Sequence, residues 1–196
     1  MGMVGRVVWG VALLVGAVAC DSGQPAPLPS ASPSGTAAGC ARPAVATSEV
    51  VLRPAPTQGV PKAPTAGEPL VIDTAVLDWE CRPAGGARMR IWHTDARGLY
   101  GPKGGDDCCY HEARGEADDS GRFRLETIRP ARYPEANAPP AHIHFEIDHG
   151  GLRAEITVIF GLNSPPATVP LASGPVTVPL RRDGDGWRGE AVLVVT

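Results

Sequence analysis

The chain has 196 residues (20.4 kDa), a formal charge of -3, 24 glycines and 21 prolines, and only 5% aromatic residues. A length near 200 with this much Pro and Gly suits one modest domain with tails and excludes a large multidomain enzyme. A pI of about 5.9 leaves no basic footprint to release counterions from a phosphate backbone, which excludes nucleic acid as a partner.

Residues 1–19 read as an export signal. Arg6 precedes an apolar run from Val7 to Ala19 that is shorter than the ~20 residues of a membrane span. The run closes on Ala17-Val18-Ala19-Cys20, the pattern of a bacterial lipobox, in which Cys20 is lipidated and anchors the chain to the cell envelope; a secretion signal cut after Ala19 is the alternative. Residues 20–66 read as a Pro/Ala/Ser-rich linker carrying nine of the prolines, with one early strand at Glu49 to Arg53. The folded domain is expected over residues 67–196. There the sequence offers short runs of period two or β-branched character: Leu70 to Leu77, Ala87 to Trp92, Arg122 to Thr127, His142 to Ile147, Leu152 to Phe160, Val176 to Leu180 and Trp187 to Val195. Turn pairs separate them, and Gly150-Gly151 and Asp183 to Gly186 mark hairpins. No window carries a helical stripe, so the expected fold is all-β, a small β-sandwich or partly open barrel.

With Cys20 set aside, Cys40, Cys81, Cys108 and Cys109 remain, an even number that favours disulfides in an exported protein. Sequence alone leaves three pairings open. A bond between the adjacent Cys108 and Cys109 would be strained, so separate partnering with Cys40 and Cys81 is the simpler expectation. Zinc is the weaker rival, because paired CxxC spacing is lacking.

All five histidines (His93, His111, His142, His144, His149) and all three tyrosines (Tyr100, Tyr110, Tyr133) fall between residues 92 and 149. On a strand, His142 and His144 share one face while Ile143, Phe145 and Ile147 take the other. The two Cβ atoms are then roughly 6.5 to 7 Å apart, a separation that two ligands of one metal can bridge. A phenol with a pKa of ~10 is a poor ligand for most divalent ions. Ferric iron, a hard acid that favours anionic oxygen and depresses the phenol's pKa, suits a set of two tyrosines with the two histidines.

Several stretches together resemble the intradiol ring-cleavage dioxygenases, including the catechol and protocatechuate dioxygenases. Trp92-His93 followed by Gly98-Leu99-Tyr100 is similar to the family's W-H-x-x-x-x-G-x-Y, whose tyrosine binds iron. Asp119 to Pro130 resembles D-x-G-R-F-x-F-x-T-I-x-P, and Tyr133-Pro134 with Pro140 to Phe145 resembles the second tyrosine and R-P-x-H-I-H-F. The resemblance covers roughly Pro69 to Phe160. It implies a ferric centre on Tyr100, Tyr133, His142 and His144, a catechol-type substrate and O2. It also implies cleavage between the two hydroxyl-bearing carbons to a muconate-type diacid, with Tyr100 and Tyr133 as catalytic groups.

One position departs from the pattern. The family's arginine, three residues before the first histidine, is Pro139 here, and Arg129, Arg132 and Arg153 are the cations that could replace it. Losing such a preorganised charge costs about 100- to 1000-fold in rate, so weak or altered activity is compatible with an intact metal site. Cys108 to His111 falls where a substrate-facing loop is expected, which makes Tyr110 and His111 the substrate-binding candidates, with His111 either an acid–base group or an exposed loop histidine. The competing reading is a non-catalytic cell-surface β-sandwich that keeps the metal site and binds a ligand without turnover. Nothing in the sequence sets an oligomeric state.

Overall fold

The computed structural model describes residues 40–41, 43, 48–103, 108–161, 168–169 and 175–196; the expected signal, Cys20 and residues 20–39 of the expected linker lie outside the described residues. In chain order the strands are β1 (Cys40–Ala41), β2 (Val51–Leu52), β3 (Pro69–Asp78), β4 (Arg88–His93), β5 (His111–Glu116), β6 (Arg122–Ile128), β7 (His142–His149), β8 (Leu152–Gly161), β9 (Thr168–Val169), β10 (Val176–Pro179), β11 (Arg181–Asp183) and β12 (Gly186–Val195). They form two five-stranded sheets, ordered β10-β8-β7-β4-β5 and β11-β12-β3-β6-β2, and a small β1-β9 pair. No described residue is helical.

Period-two patterning drives the assembly. In β7, Ile143, Phe145 and Ile147 are fully buried, and from the facing sheet Leu70, Ile72, Phe123, Leu125 and Leu193 close the core against them. Phe123 and Phe145 meet across the interface with ring centroids 6.3 Å apart. The two expected hairpins are present: Gly150 and Gly151, with φ of 59° and 84°, turn β7 into β8, and β11 returns into β12. These left-handed conformations fix the register His149↔Leu152, and therefore His144↔Thr157.

Each expected strand is found, and β5 is added to them. Its sequence His-Glu-Ala-Arg-Gly-Glu points only Ala113 into the core, so it carries almost no apolar signal. A charged, glycine-containing strand suits the edge it occupies, where it discourages pairing with another chain. The ordered fold also begins upstream of the expected boundary at Gly67. Leu52 enters the core, Arg124 donates its N–H to the Val50 carbonyl (2.8 Å), and Ala55 and Thr57 hydrogen-bond to Glu112 and Cys109. This segment caps the β6 edge, so its prolines serve an extended edge element as well as a linker.

The cysteines pair otherwise than expected. Cys40 bonds Cys81, with Cα atoms 5.4 Å apart, and Cys108 bonds its neighbour Cys109 across a cis peptide. Cys40 covers Leu77, Val192 and Val194 on the outer side of the β3–β12 sheet, which brings it beside the turn that holds Cys81. That turn is organised by Asp78, whose carboxylate accepts the N–H groups of Glu80 and Arg82 (both 2.9 Å).

His93 ties the two sheets together at one end of the sandwich. It is fully buried; its Nδ1 donates to the Thr94 carbonyl and its Nε2 accepts from Thr127 on β6, both at 2.7 Å. Burial, followed by the adjacent His111, pushes its pKa down to about 3. A histidine with a folded pKa below its unfolded value of ~6.5 contributes stability that is complete above that value and is lost as pH falls from there toward 3. At pH 5 the loss from His93 is about 2 kcal/mol. Urea unfolding at pH 7 and pH 5 is expected to show it in the wild type, and His93→Gln is expected to remove about 2 kcal/mol of the pH dependence; equal pH dependence in both proteins would refute the assignment.

Candidate metal centre

His142 and His144 project from the outer face of β7, away from the core. Two irregular segments bring tyrosines to them: residues 94–100, after β4, and residues 129–141, between β6 and β7. Four donor atoms close a ring. Tyr100 Oη lies 2.6 Å from Tyr133 Oη, Tyr133 Oη 3.0 Å from His142 Nε2, His142 Nε2 3.2 Å from His144 Nε2, and His144 Nε2 2.9 Å from Tyr100 Oη. The structure thus brings together the four residues singled out in the sequence.

The tyrosine segments are locked to each other by their backbones. The Thr94 hydroxyl donates to the Ala131 carbonyl (2.7 Å), and the Ala131 N–H donates to the Asp95 carbonyl (3.1 Å). The Asp95 carboxylate, fully buried, accepts the N–H groups of Arg97 (2.8 Å) and Leu99 (3.0 Å) and pairs with the Arg97 guanidinium. Burial acts to raise the Asp95 pKa, but the Leu99 and Arg97 donors outweigh it and hold the carboxyl below its usual range. Tyr100 is fixed from the far side as well, since its carbonyl accepts the Tyr110 N–H at 2.6 Å.

Each donor can present a lone pair inward. His142 Nδ1 lies 2.7 Å from the Pro140 carbonyl, which accepts its proton and leaves Nε2 free. His144 is held down to about 4, by burial first and then by His142, so its ring is neutral at physiological pH. Burial, then the Tyr133 hydroxyl, pushes the Tyr100 phenol above its usual range. A phenol in that environment ionises only when a cation offsets the charge, as a bound metal does. Two imidazoles, two phenols and ring edges of 2.6 to 3.2 Å suit one ion at about the 2.0–2.2 Å that nitrogen and oxygen ligands adopt. The residues present therefore fit a hard, multiply charged metal.

Trp92, directly opposite His144 in the β4–β7 register, stacks on its ring at 5.0 Å and 9°. The Arg90 guanidinium covers the Trp92 ring at 4.7 Å. The result is a rigid backing for one of the two histidines.

Other expected site residues stand apart from the ring. Tyr110 is buried with the Arg97 guanidinium 6.0 Å over its ring, and His111 is the first residue of β5, stacked on His93 at 4.9 Å instead of exposed on a loop. Arg129 is engaged by Glu68 and Trp187, and Arg153 by Glu146. Arg132 donates to the Ala138 carbonyl (3.0 Å), which places its guanidinium beside Pro139 in the loop that carries Tyr133. A groove of about 520 Å³ continues along the outer face, lined by Arg88, Arg90, Arg114, Glu146 and Asp148 among others. Arg88 pairs there with Asp148, and Arg90 and Arg114 both pair with Glu112.

Residues 55–175 match the family model Dioxygenase_C, described as dioxygenase. Among curated proteins, the catechol 1,2-dioxygenase of Candida albicans is 30% identical over 107 residues, 46% of this chain and 35% of that protein. The hydroxyquinol 1,2-dioxygenase of Rhodococcus opacus is 29% identical over 114 residues, 50% of this chain and 38% of that protein. The chain thus aligns with little more than a third of the length of these relatives. Among solved structures, the dioxygenase domain of a dioxygenase–carbohydrate-binding fusion from Streptomyces sp. SirexAA-E shares the fold. It has a TM-score of 0.53 at 20% identity, covering 81% of this chain and 96% of that one.

Proposed function

The chain belongs to the intradiol ring-cleavage dioxygenase family, and we propose that it holds Fe(III) on Tyr100, Tyr133, His142 and His144 and uses O2 to cleave catechol-type rings between the hydroxyl-bearing carbons. The observation that carries this reading is the closed ring of two phenols and two imidazoles. When bound, ferric iron would supply Lewis acidity toward both catechol oxygens and make the ring electron-rich enough to react with O2. Both atoms of O2 end in the product, one in each new carboxyl group, so no external reductant is needed.

The chain's own residues do the rest. His142, fixed by the Pro140 carbonyl, and His144, backed by Trp92, are the ligands that hold position. Tyr133 sits on an irregular segment whose next residues, Pro134 to Asn137, are exposed, whereas Tyr100 is anchored by the Tyr110 N–H. Tyr133 is therefore the phenolate that yields to substrate and accepts a proton from a catechol hydroxyl, and Tyr100 stays. Residues 1–19 are read as the export signal and Cys20 as the lipidated residue that follows it, a reading supported by two disulfides suited to an oxidising compartment.

The test is the visible spectrum of the iron-loaded protein before and after catechol. A phenolate-to-iron band that shifts on adding catechol and is lost in Tyr100→Phe/Tyr133→Phe is expected. A colourless protein under iron-replete conditions would overturn the ligand set.

A further inference from the structure

The two histidines of the ring are not equally supported. His142 has its outer nitrogen on the Pro140 carbonyl, but His144 Nδ1 is buried and has no hydrogen-bond partner. If Nε2 of His144 gives its lone pair to a metal, the ring proton must reside on Nδ1, where burial without an acceptor is costly. The group that faces this atom is the Glu155 carboxylate, with Oε1 3.7 Å from Nδ1. Glu155 lies on β8, on the same outer face as Thr157, which is the residue directly opposite His144, and two residues before it. Its side chain is 66% exposed and free to change rotamer, so the remaining few tenths of an ångström to a hydrogen bond need no backbone movement. The neighbouring carboxylate, Glu146, is already engaged by Arg153.

We propose that Glu155 is a positioning residue that accepts the Nδ1 proton of His144, fixing the tautomer and ring orientation in which Nε2 faces the metal. Trp92 then packs the flat side of the ring while Glu155 holds its edge. This rests on the ferric reading of the site. Ligand histidines ordinarily donate their second N–H to such an acceptor, and removing it weakens metal binding about 10- to 100-fold.

The test compares wild type, Glu155→Ala and Glu155→Gln by iron affinity, measured in competition with a chelator, and by the position of the phenolate-to-iron band. Glu155→Ala is expected to bind iron about 10- to 100-fold more weakly and to move the band to longer wavelength, because a less basic His144 leaves the iron more electron-poor. Glu155→Gln, whose amide oxygen still accepts, is expected to recover much of both. The thermal midpoint of the metal-free protein should not change, since the side chain is exposed. Wild-type affinity and band position in Glu155→Ala would overturn the proposal, and so would Gln behaving like Ala, which would mark a pure charge effect. A wild type that takes up no iron would overturn the ferric reading itself, an outcome distinct from these.

Discussion

Gly98→Ala is expected to disable the metal centre while leaving the sandwich folded. Gly98 has φ of +84°, and a Cβ there would lie 2.1 Å from the Arg132 carbonyl oxygen and 3.1 Å from the Tyr133 Cα. Those atoms are backbone of the opposing tyrosine segment, so the clash is relieved only by moving Tyr133 away from Tyr100. The left-handed conformation adds about 1–2 kcal/mol for a residue with a Cβ. A displacement near 1 Å in a reacting site costs on the order of 100-fold in rate, and here it would also open the 2.6 Å tyrosine contact. Gly150→Ala is the control: φ there is +59°, but nothing lies within 4 Å of the added carbon, so it carries the conformational penalty alone. Strand content by circular dichroism should persist in both variants. Iron uptake should fall only in Gly98→Ala, and unchanged uptake there would contradict the interlocked-segment account.

His142→Ala is expected to have the largest effect on turnover. It removes one of four converging donors and leaves the Pro140 carbonyl without its imidazole partner. Since loss of a supporting residue alone weakens such sites by about 10- to 100-fold, loss of a ligand should lower catechol-dependent O2 consumption by at least about 100-fold. His149→Ala, at the hairpin end of the same strand, should retain wild-type activity. If His142→Ala kept more than about a tenth of the wild-type rate, the histidine would not be a ligand.

Much of this was legible in the sequence, for physical reasons that also explain the gaps. Strands that alternate apolar and polar residues, such as His142 to Ile147, announce both their conformation and the face their histidines share. β5 was hidden because an edge strand with one core residue, Ala113, has no apolar period to detect. The Cys40–Cys81 bond and the packing of Thr57 against Cys109 were hidden because they depend on where distant segments meet. Asp95 was hidden for the same reason: its carboxylate organises a turn, and nothing in a lone Asp signals burial. Glu155 is a different case. The Gly150-Gly151 turn fixes His149 opposite Leu152, and counting along the hairpin puts Glu155 opposite Glu146, diagonal to His144 on the same face, so its place could have been read from the turn.

The departure at Pro139 leaves the ring of donors intact, since Pro139 is exposed and the four donors converge without it. The measurement that decides the matter is the reaction itself, with the iron-loaded wild type, catechol and O2 in a closed cell, followed by an oxygen electrode and by product absorbance. The account predicts one O2 consumed per catechol and a ring-opened muconate-type diacid. An iron-loaded protein that binds catechol but consumes no O2 and forms no diacid would contradict it.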